Sequence, residues 1–98
     1  MAEHKFLIHN FGDDVGVAVS PIKAGESVVG IALDNKEKVS VVANHDIPLG
    51  HKIALTKKAA GEDLVKYGIV VGEVTENFNV GDWVHTHNLR TKRWNYGN

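Results

Sequence analysis

The chain has 98 residues, enough for one hydrophobic core but few for a two-domain enzyme. Its 11 basic and 12 acidic side chains give a formal net charge of −1, so no general attraction to nucleic acid or membranes is expected. Without cysteine, disulfides and thiolate zinc sites are excluded. The N-terminal residues are polar, and no apolar run approaches the ~20 residues that cross a bilayer, so we expect a cytoplasmic protein.

Apolar residues alternate with polar ones or fall in short runs that Gly, Pro, Asp and Asn separate. This pattern is typical of strands and turns, and helical spacing is nearly absent. We therefore predict one mostly β domain over residues 1–98, with a short polar, basic tail over residues 90–98. The predicted strands are Lys5–Ile8, Val15–Ser20, Ser27–Leu33, Lys38–Ala43, Lys52–Leu55, Leu64–Val71, Gly72–Val74 and Trp83–His87.

Tight turns are predicted between these strands. Asp34-Asn35-Lys36 separates two β-branched runs and is predicted to be a hairpin tip. A glycine followed by an acidic residue recurs at Gly25-Glu26, Gly61-Glu62 and Gly81-Asp82, each time before an apolar strand. This recurrence predicts repeated structural units rather than a solenoid.

The most chemically mixed segment is Val84–Thr91, which contains two imidazoles, an amide, two hydroxyls and a guanidinium. In an extended strand, His85 and His87 share one face while Val84 and Thr86 share the other. Two adjacent imidazoles are candidates for a metal or oxyanion site. The competing interpretation is a surface strand that carries two solvated histidines without a function.

A second polar segment is Ile47–Leu55. Pro48 restricts the backbone and Gly50 permits a tight turn, so His51 and Lys52 are predicted at the start of a strand, where a rigid scaffold displays reactive groups. The simpler interpretation is a turn histidine beside a solvated lysine.

Two further segments carry candidate residues. Val65–Gly72 places Lys66 and Tyr67 on opposite strand faces, although Tyr67 can instead fill the core with its hydroxyl at the edge. Ile8–Ala18 places His9 and Asp13 around a turn, in which the two adjacent aspartates can be ordinary turn formers.

In this order, the four segments resemble the SAF domain of the altronate dehydratase family, and the resemblance covers nearly the whole chain. The Asp13-Asp14 pair departs from the Asp-Asn often found in that family, which argues against a direct role for position 14. The implied fold is a β-clip, a compact assembly of short strands folded into hairpins. The matching stretches are His9 with Gly12–Ala18, Ile47–Leu55, Val65–Gly68 with Gly72, and Gly81–Asn88.

The resemblance also implies a function. In such relatives the domain either begins a long dehydratase chain or is a small subunit beside a large catalytic subunit, and a sequence that ends at Asn98 favours the second arrangement. The implied reaction is β-elimination of water or sulfite from a 2-hydroxy acid, such as an aldonate, an aldarate or sulfolactate, to give a 2-keto acid. The small subunit alone is expected to be inactive. The implied cofactor is iron(II) or manganese(II), with the large subunit as its favoured holder.

The candidate site residues are expected to act in three roles. We expect His51, His85 and His87 to line one cleft, with Lys52 close by. The candidates are His51, Lys52 and Tyr67 for proton transfer, His87, Asn88 and Arg90 for substrate binding, and His9, His85 and His87 for metal binding.

Two other functions stay open. One is a stand-alone carbohydrate- or organic-acid-binding module, in which His51, Tyr67 and His87 form a polar cleft. The other is a single-stranded nucleic-acid binder that uses the basic and aromatic residues of Arg90–Trp94, but the sequence offers no wider basic surface for it. The expected partners are therefore a large lyase subunit and a small 2-hydroxy acid, without nucleic acid or membrane, and a homo-oligomer is compatible with them.

Overall fold

The computed structural model describes residues 4–66, 69–85 and 87–91. Within these ranges the chain forms nine strands and no helix, which confirms the predicted mostly β class. In the same ranges there is accordingly no helix that could span a membrane. The strands are β1 Phe6–Ile8, β2 Val15–Ala18, β3 Ser27–Ala32, β4 Lys38–Val42, β5 Lys52–Ala54, β6 Asp63–Lys66, β7 Ile69–Val74, β8 Trp83–Val84 and β9 Leu89–Thr91.

The strands form two sheets. The larger one has the order β4-β3-β1-β2-β5-β8, and its neighbours are antiparallel except for the parallel pair β1 and β3. The smaller one has the order β6-β7-β9 and is antiparallel. The backbone N–H of Asp14, just before β2, donates to the carbonyl of Val65 in β6 at 2.9 Å. This contact joins the two sheets.

Two apolar clusters form the core, and β5 contributes to both. Ile53 belongs to the first cluster and the next residue, Ala54, belongs to the second. Alternation along the strand therefore decides which cluster a side chain faces. The first cluster also contains Phe6, Ile8, Ile22, Val28 and Ile47, and the second contains Val15, Leu64, Val74, Phe78 and Val84.

The predicted strands Leu64–Val71 and Gly72–Val74 are wrong in their division. The chain reverses within the first of them, because β6 ends at Lys66 and β7 begins at Ile69 as its antiparallel partner. Lys66 and Gly68 interrupt the apolar run, but a single glycine within a strand pattern does not by itself mark a reversal, so cross-strand pairing decides it. The candidate Tyr67 and the neighbouring Gly68 lie outside the described residues.

The predicted strand Trp83–His87 is shorter than expected. It ends at Val84, and the backbone N–H of Asn88 then donates to the carbonyl of His85 at 3.1 Å, which closes a turn. After the turn, Leu89–Thr91 forms β9 against β7, a strand that we did not predict. The predicted tail therefore begins inside the smaller sheet, and its residues 92–98 lie outside the described part of the chain.

Five tight turns share one design. In each, the carbonyl of the first residue accepts from the N–H of the fourth, and the third residue is a glycine with φ between 86° and 98°, as in a type II turn. This confirms the three predicted glycine-acid turns and adds two. In four turns the fourth residue is acidic, and its carboxylate accepts from the N–H of the first residue. The turns are Asn10–Asp13, Lys23–Glu26, Pro48–His51, Ala59–Glu62 and Asn79–Asp82.

Candidate functional site

Trp83 contacts four histidines. Its indole Nε1–H donates to Nδ1 of His51 at 3.0 Å, and its backbone N–H donates to Nδ1 of His45 at 3.2 Å. Its ring stacks on His85 at a centroid distance of 5.5 Å and an interplanar angle of 8°, and lies 5.0 Å from the ring of His87. These five residues are the imidazole cluster. It contains the three histidines that we expected to lie together, and two residues that sequence reasoning missed, His45 and Trp83.

The pairing of β5 with β8 explains why His51 and His85 meet. Ile53 is the cross-strand partner of Trp83. In an antiparallel pair, the residue two before Ile53 therefore lies opposite the residue two after Trp83. The rings of His51 and His85 are 4.5 Å apart. The sequence offered no signal for Trp83 or His45, because this register exists only once β5 and β8 pair.

Asn88 supports the turn that carries His85 and His87. Its side-chain oxygen accepts from the N–H of His85 at 2.9 Å, and its side-chain nitrogen donates to the carbonyl of Trp83 at 2.8 Å. The residue is 4 % exposed. The alternation expected for His85 and His87 in one strand is thus wrong, and a turn held by this amide places both rings against Trp83 instead.

Lys52 does not lie with the imidazole cluster. Its cross-strand partner Val84 belongs to the second apolar cluster, whereas Ile53 packs with Trp83 in the first. Because successive side chains of a strand point to opposite faces, Lys52 and His51 lie on opposite sides of the sheet. The expectation that Lys52 lies close to the three histidines is therefore wrong. Neighbouring residues of a strand point their side chains to opposite faces, so the sheet separates Lys52 from His51.

The surroundings of Lys52 are electropositive. Burial lowers the pKa of Lys52, and repulsion from Lys66 lowers it further. Burial also lowers the pKa of Lys66, while the charge of Asp13 acts in the opposite direction. Among the described residues no carboxylate pairs with the half-buried Lys52 ammonium. The charged neighbour that affects Lys52 is thus a second cation, Lys66, which in turn has Asp13 near it.

The carboxylate of Asp14 is bonded to groups of the protein itself. Its carboxylate accepts from the N–H of Val65 at 2.7 Å and lies 3.2 Å from Nζ of Lys58. Asp13 closes the turn with Asn10. These contacts give Asp14 a structural role at the junction of the two sheets.

The predicted metal ligands do not form a metal centre within this chain. No group of three or more His, Cys, Asp or Glu side chains among the described residues is placed to hold a metal ion, and His9, His85 and His87 are all among those residues. The donor set of the described residues therefore does not fit a metal that these residues hold alone. For Arg90, the structure places the backbone in β9.

Comparisons with known proteins identify the family. Residues 4–92 match the altronate/galactarate dehydratase SAF domain. The (2R)-sulfolactate sulfo-lyase subunit alpha of Chromohalobacter salexigens is 36% identical over 90 residues, 91% of this chain and 96% of that protein. Its counterpart from Paracoccus pantotrophus is 42% identical over 64 residues, 65% of this chain and 94% of that protein. Altronate dehydratase of Escherichia coli is 37% identical over 79 residues, 81% of this chain but 15% of that protein. The chain therefore belongs to the altronate/galactarate dehydratase SAF-domain family.

Proposed function

We propose that this chain is the small subunit of a lyase that eliminates water or sulfite from a 2-hydroxy acid, together with a larger catalytic subunit. The imidazole cluster supports this proposal, because it gathers four histidines of a lyase-family domain around one tryptophan. The length agrees with a small subunit, since two relatives named subunit alpha are covered over 96% and 94% of their own chains.

The proposed reaction has one difficult step. A base removes the weakly acidic proton from the carbon that bears the 2-hydroxyl group, and the released electron pair forms a double bond to the next carbon. The bond from that carbon to the leaving group breaks, so sulfite departs, or hydroxide departs as water after taking a proton from an acid, and the enol gains a proton on carbon and loses its hydroxyl proton to become a 2-keto acid. Negative charge develops on the substrate oxygens during this step. Hydrogen-bond donors and cations that face those oxygens lower the barrier.

The imidazole cluster supplies hydrogen-bonding groups for such oxygens. His87 is exposed although it touches the Trp83 ring, and His51 is partly exposed. Both are therefore accessible to a small acid or to a group of the large subunit. Asn88 acts in this proposal by holding the turn, because both ends of its amide are bonded within the chain.

Lys52 contributes from the opposite face of β5. A half-buried ammonium without a carboxylate partner, and with Lys66 nearby, is stabilised when an anion arrives. We assign that anion to a carboxylate of the large subunit, because a small acid bound at the imidazole cluster lies on the other side of the sheet. Tyr67 and Arg90 keep their predicted roles in proton transfer and substrate binding.

Iron(II) or manganese(II) belongs, in this proposal, to the large subunit. The described residues of the small subunit offer no group of three metal-binding side chains. The small subunit then caps the large subunit's site and positions the substrate.

Reconstitution tests the proposal. The tagged chain is coexpressed with a candidate large lyase subunit from the same genome, and the purified complex is assayed for 2-keto acid release from sulfolactate, altronate and galactarate. We expect turnover of one of these acids by the complex and none by the isolated chain. The variant His4→Ala is the control, because His4 is exposed and lies outside the cluster. Robust turnover by the isolated chain would contradict the proposal, and binding of an acid without any partner or turnover would favour the binding-module alternative.

A further inference from the structure

The hydrogen bond between Trp83 and His51 determines which nitrogen of the imidazole carries a proton. An indole N–H can donate but not accept, so Nδ1 of His51, 3.0 Å away, must accept with its lone pair. In the neutral ring the proton is then on Nε2. The same reasoning applies to His45, whose Nδ1 accepts from a backbone N–H at 3.2 Å.

The turn that carries His51 differs from its four counterparts at two positions. In those turns an acidic fourth residue caps the N–H of the first residue. In the turn Pro48–His51 the first residue is a proline, which has no N–H to be capped. The fourth residue of this turn therefore has no N–H to cap, and it is a histidine instead of an acidic residue.

The indole of Trp83 takes the place of the missing donor. Nδ1 of His51 accepts from a side chain on β8 instead of from its own turn. The turn itself is intact without the cap, since the N–H of His51 donates to the carbonyl of Pro48 at 3.0 Å and Gly50 keeps φ 86°. The imidazole is therefore held in place by tertiary structure and is not needed to close the turn.

We propose that Trp83 is a positioning residue that holds His51 in the Nε2–H tautomer, with this N–H directed to an anionic oxygen of a 2-hydroxy acid. This inference rests on the proposed function for the identity of the ligand. In this state His51 donates to the carboxylate or to the developing enolate oxygen, and it does not remove the substrate proton. The base is then another group, while His51 has a proton on Nε2 to donate. His45, whose Nδ1 accepts from the backbone N–H of the same tryptophan and lies 3.8 Å from Oδ1 of Asp82, has Nε2 as its proton-bearing nitrogen when the ring is neutral.

The tautomer can be read directly in the isolated chain. Two-bond ¹H–¹⁵N correlation spectra distinguish a protonated imidazole nitrogen from one that bears only a lone pair. The ¹⁵N-labelled chain is measured above the pH range in which imidazoles titrate. We expect the His51 signals to show Nδ1 without a proton and Nε2 with one. A proton on Nδ1 of His51 in the wild-type spectrum would overturn the proposal, without a variant and without the lyase partner.

The variant Trp83→Phe tests the positioning role. It keeps an aromatic ring for His85 and His87 but removes the indole N–H. We expect the His51 signals to move to a mixture of both tautomers, while circular dichroism shows an unchanged β fold. Trp94→Phe, which removes the chain's other indole N–H, is the matched control and should leave those signals unchanged. Unchanged His51 signals in Trp83→Phe would overturn the role of Trp83.

Activity of the reconstituted complex gives a separate readout. Glutamine carries an amide N–H near the position of Nε2, whereas leucine has no donor. We expect His51→Gln to retain at least ~10-fold more kcat than His51→Leu, because a donor aimed at a developing oxyanion acts mainly in the transition state. Equal losses in the two variants would contradict a donor role. If the complex has no lyase activity at all, the proposed function fails, while the spectra still decide the tautomer.

Discussion

Nζ of Lys58 lies 3.2 Å from Oδ2 of Asp14, and the same oxygen accepts from the N–H of Val65 at 2.7 Å. The carboxylate thus ties the beginning of β2 to β6, and so one sheet to the other. The two ion-pair side chains are only 16% and 9% exposed. At this depth, loss of one partner leaves a charge that water solvates poorly.

Asp14→Ala is therefore expected to lower the free energy of unfolding by about 3 kcal/mol, because it removes the partner of both the Lys58 ammonium and the Val65 N–H. Asp14→Asn should cost less, since its amide oxygen can still accept from Val65. Urea unfolding at neutral pH measures both. The exposed Glu76→Ala is the control, with a change within about 0.5 kcal/mol. A wild-type-like Asp14→Ala would show that this contact does not hold the sheets together.

Alanine substitutions at Gly81 and Gly61 distinguish the effect of backbone strain from that of steric overlap. Both are in the left-handed region, with φ 93° and 95°. A Cβ on Gly81 would lie 2.1 Å from the carbonyl oxygen of Val42, whereas a Cβ on Gly61 would meet nothing within 4 Å. We expect Gly61→Ala to cost about 1–2 kcal/mol from strain alone, and Gly81→Ala to cost clearly more or to prevent folding. Thermal unfolding of the two variants compares them, and equal losses would refute the overlap.

Lys52→Gln is expected to stabilise the isolated chain at neutral pH. The folded-state pKa of Lys52 is below the ordinary value of 10.5, so the folded chain binds fewer protons than the unfolded chain between these two values. Stability contributed by this group therefore rises with pH through that window, and the charged form disfavours folding below it. The gain should be at most about 1 kcal/mol, because the ammonium is only half-buried.

Denaturation curves at several pH values measure this effect. The difference between Lys52→Gln and the wild type should shrink as the pH approaches 10.5. Lys57→Gln, at an exposed neighbouring position, is the matched control and should change little. A destabilised Lys52→Gln at neutral pH would mean that the lysine stem packs more favourably than its charge is repelled.

The same Lys52→Gln variant is expected to lower turnover of the reconstituted complex by ~100-fold. The anion that we assign to Lys52 would then lose its positively charged partner. Lower activity combined with higher stability would mark Lys52 as a functional residue, because a structural role predicts that both quantities fall. Full activity would instead support the simpler interpretation, in which Lys52 is a solvated surface lysine.

His87→Ala is expected to lower turnover by at least ~100-fold while leaving thermal stability within about 0.5 kcal/mol of the wild type. His87 is exposed, and its contact with the Trp83 ring buries little of it. Steady-state kinetics and a melting curve on the same preparation test this. Small and equal effects of His87→Ala and His4→Ala would remove His87 from the site.

The grouping of His51, His85 and His87 was expected from the sequence, but the reason given for it was wrong. We expected His85 and His87 to share the face of a strand, and the strand ends before them. They meet His51 because the β5–β8 register and the Asn88 amide bring them there. Contacts between residues more than 30 positions apart in sequence, such as Trp83 with His51, leave no periodic signal in the chain.

The sequence by itself determined the β class and the repeated turns, because alternation, glycine and a following acid act over a few residues and need no distant partner. It also marked the four segments that identify the family. Only the tertiary structure decided which apolar cluster each face of β5 meets, so that His51 lies with Trp83 and Lys52 does not, and that His51 accepts a hydrogen bond from the Trp83 indole. Those facts follow from strand register and from packing against two separate apolar clusters, both of which arise when distant segments pair.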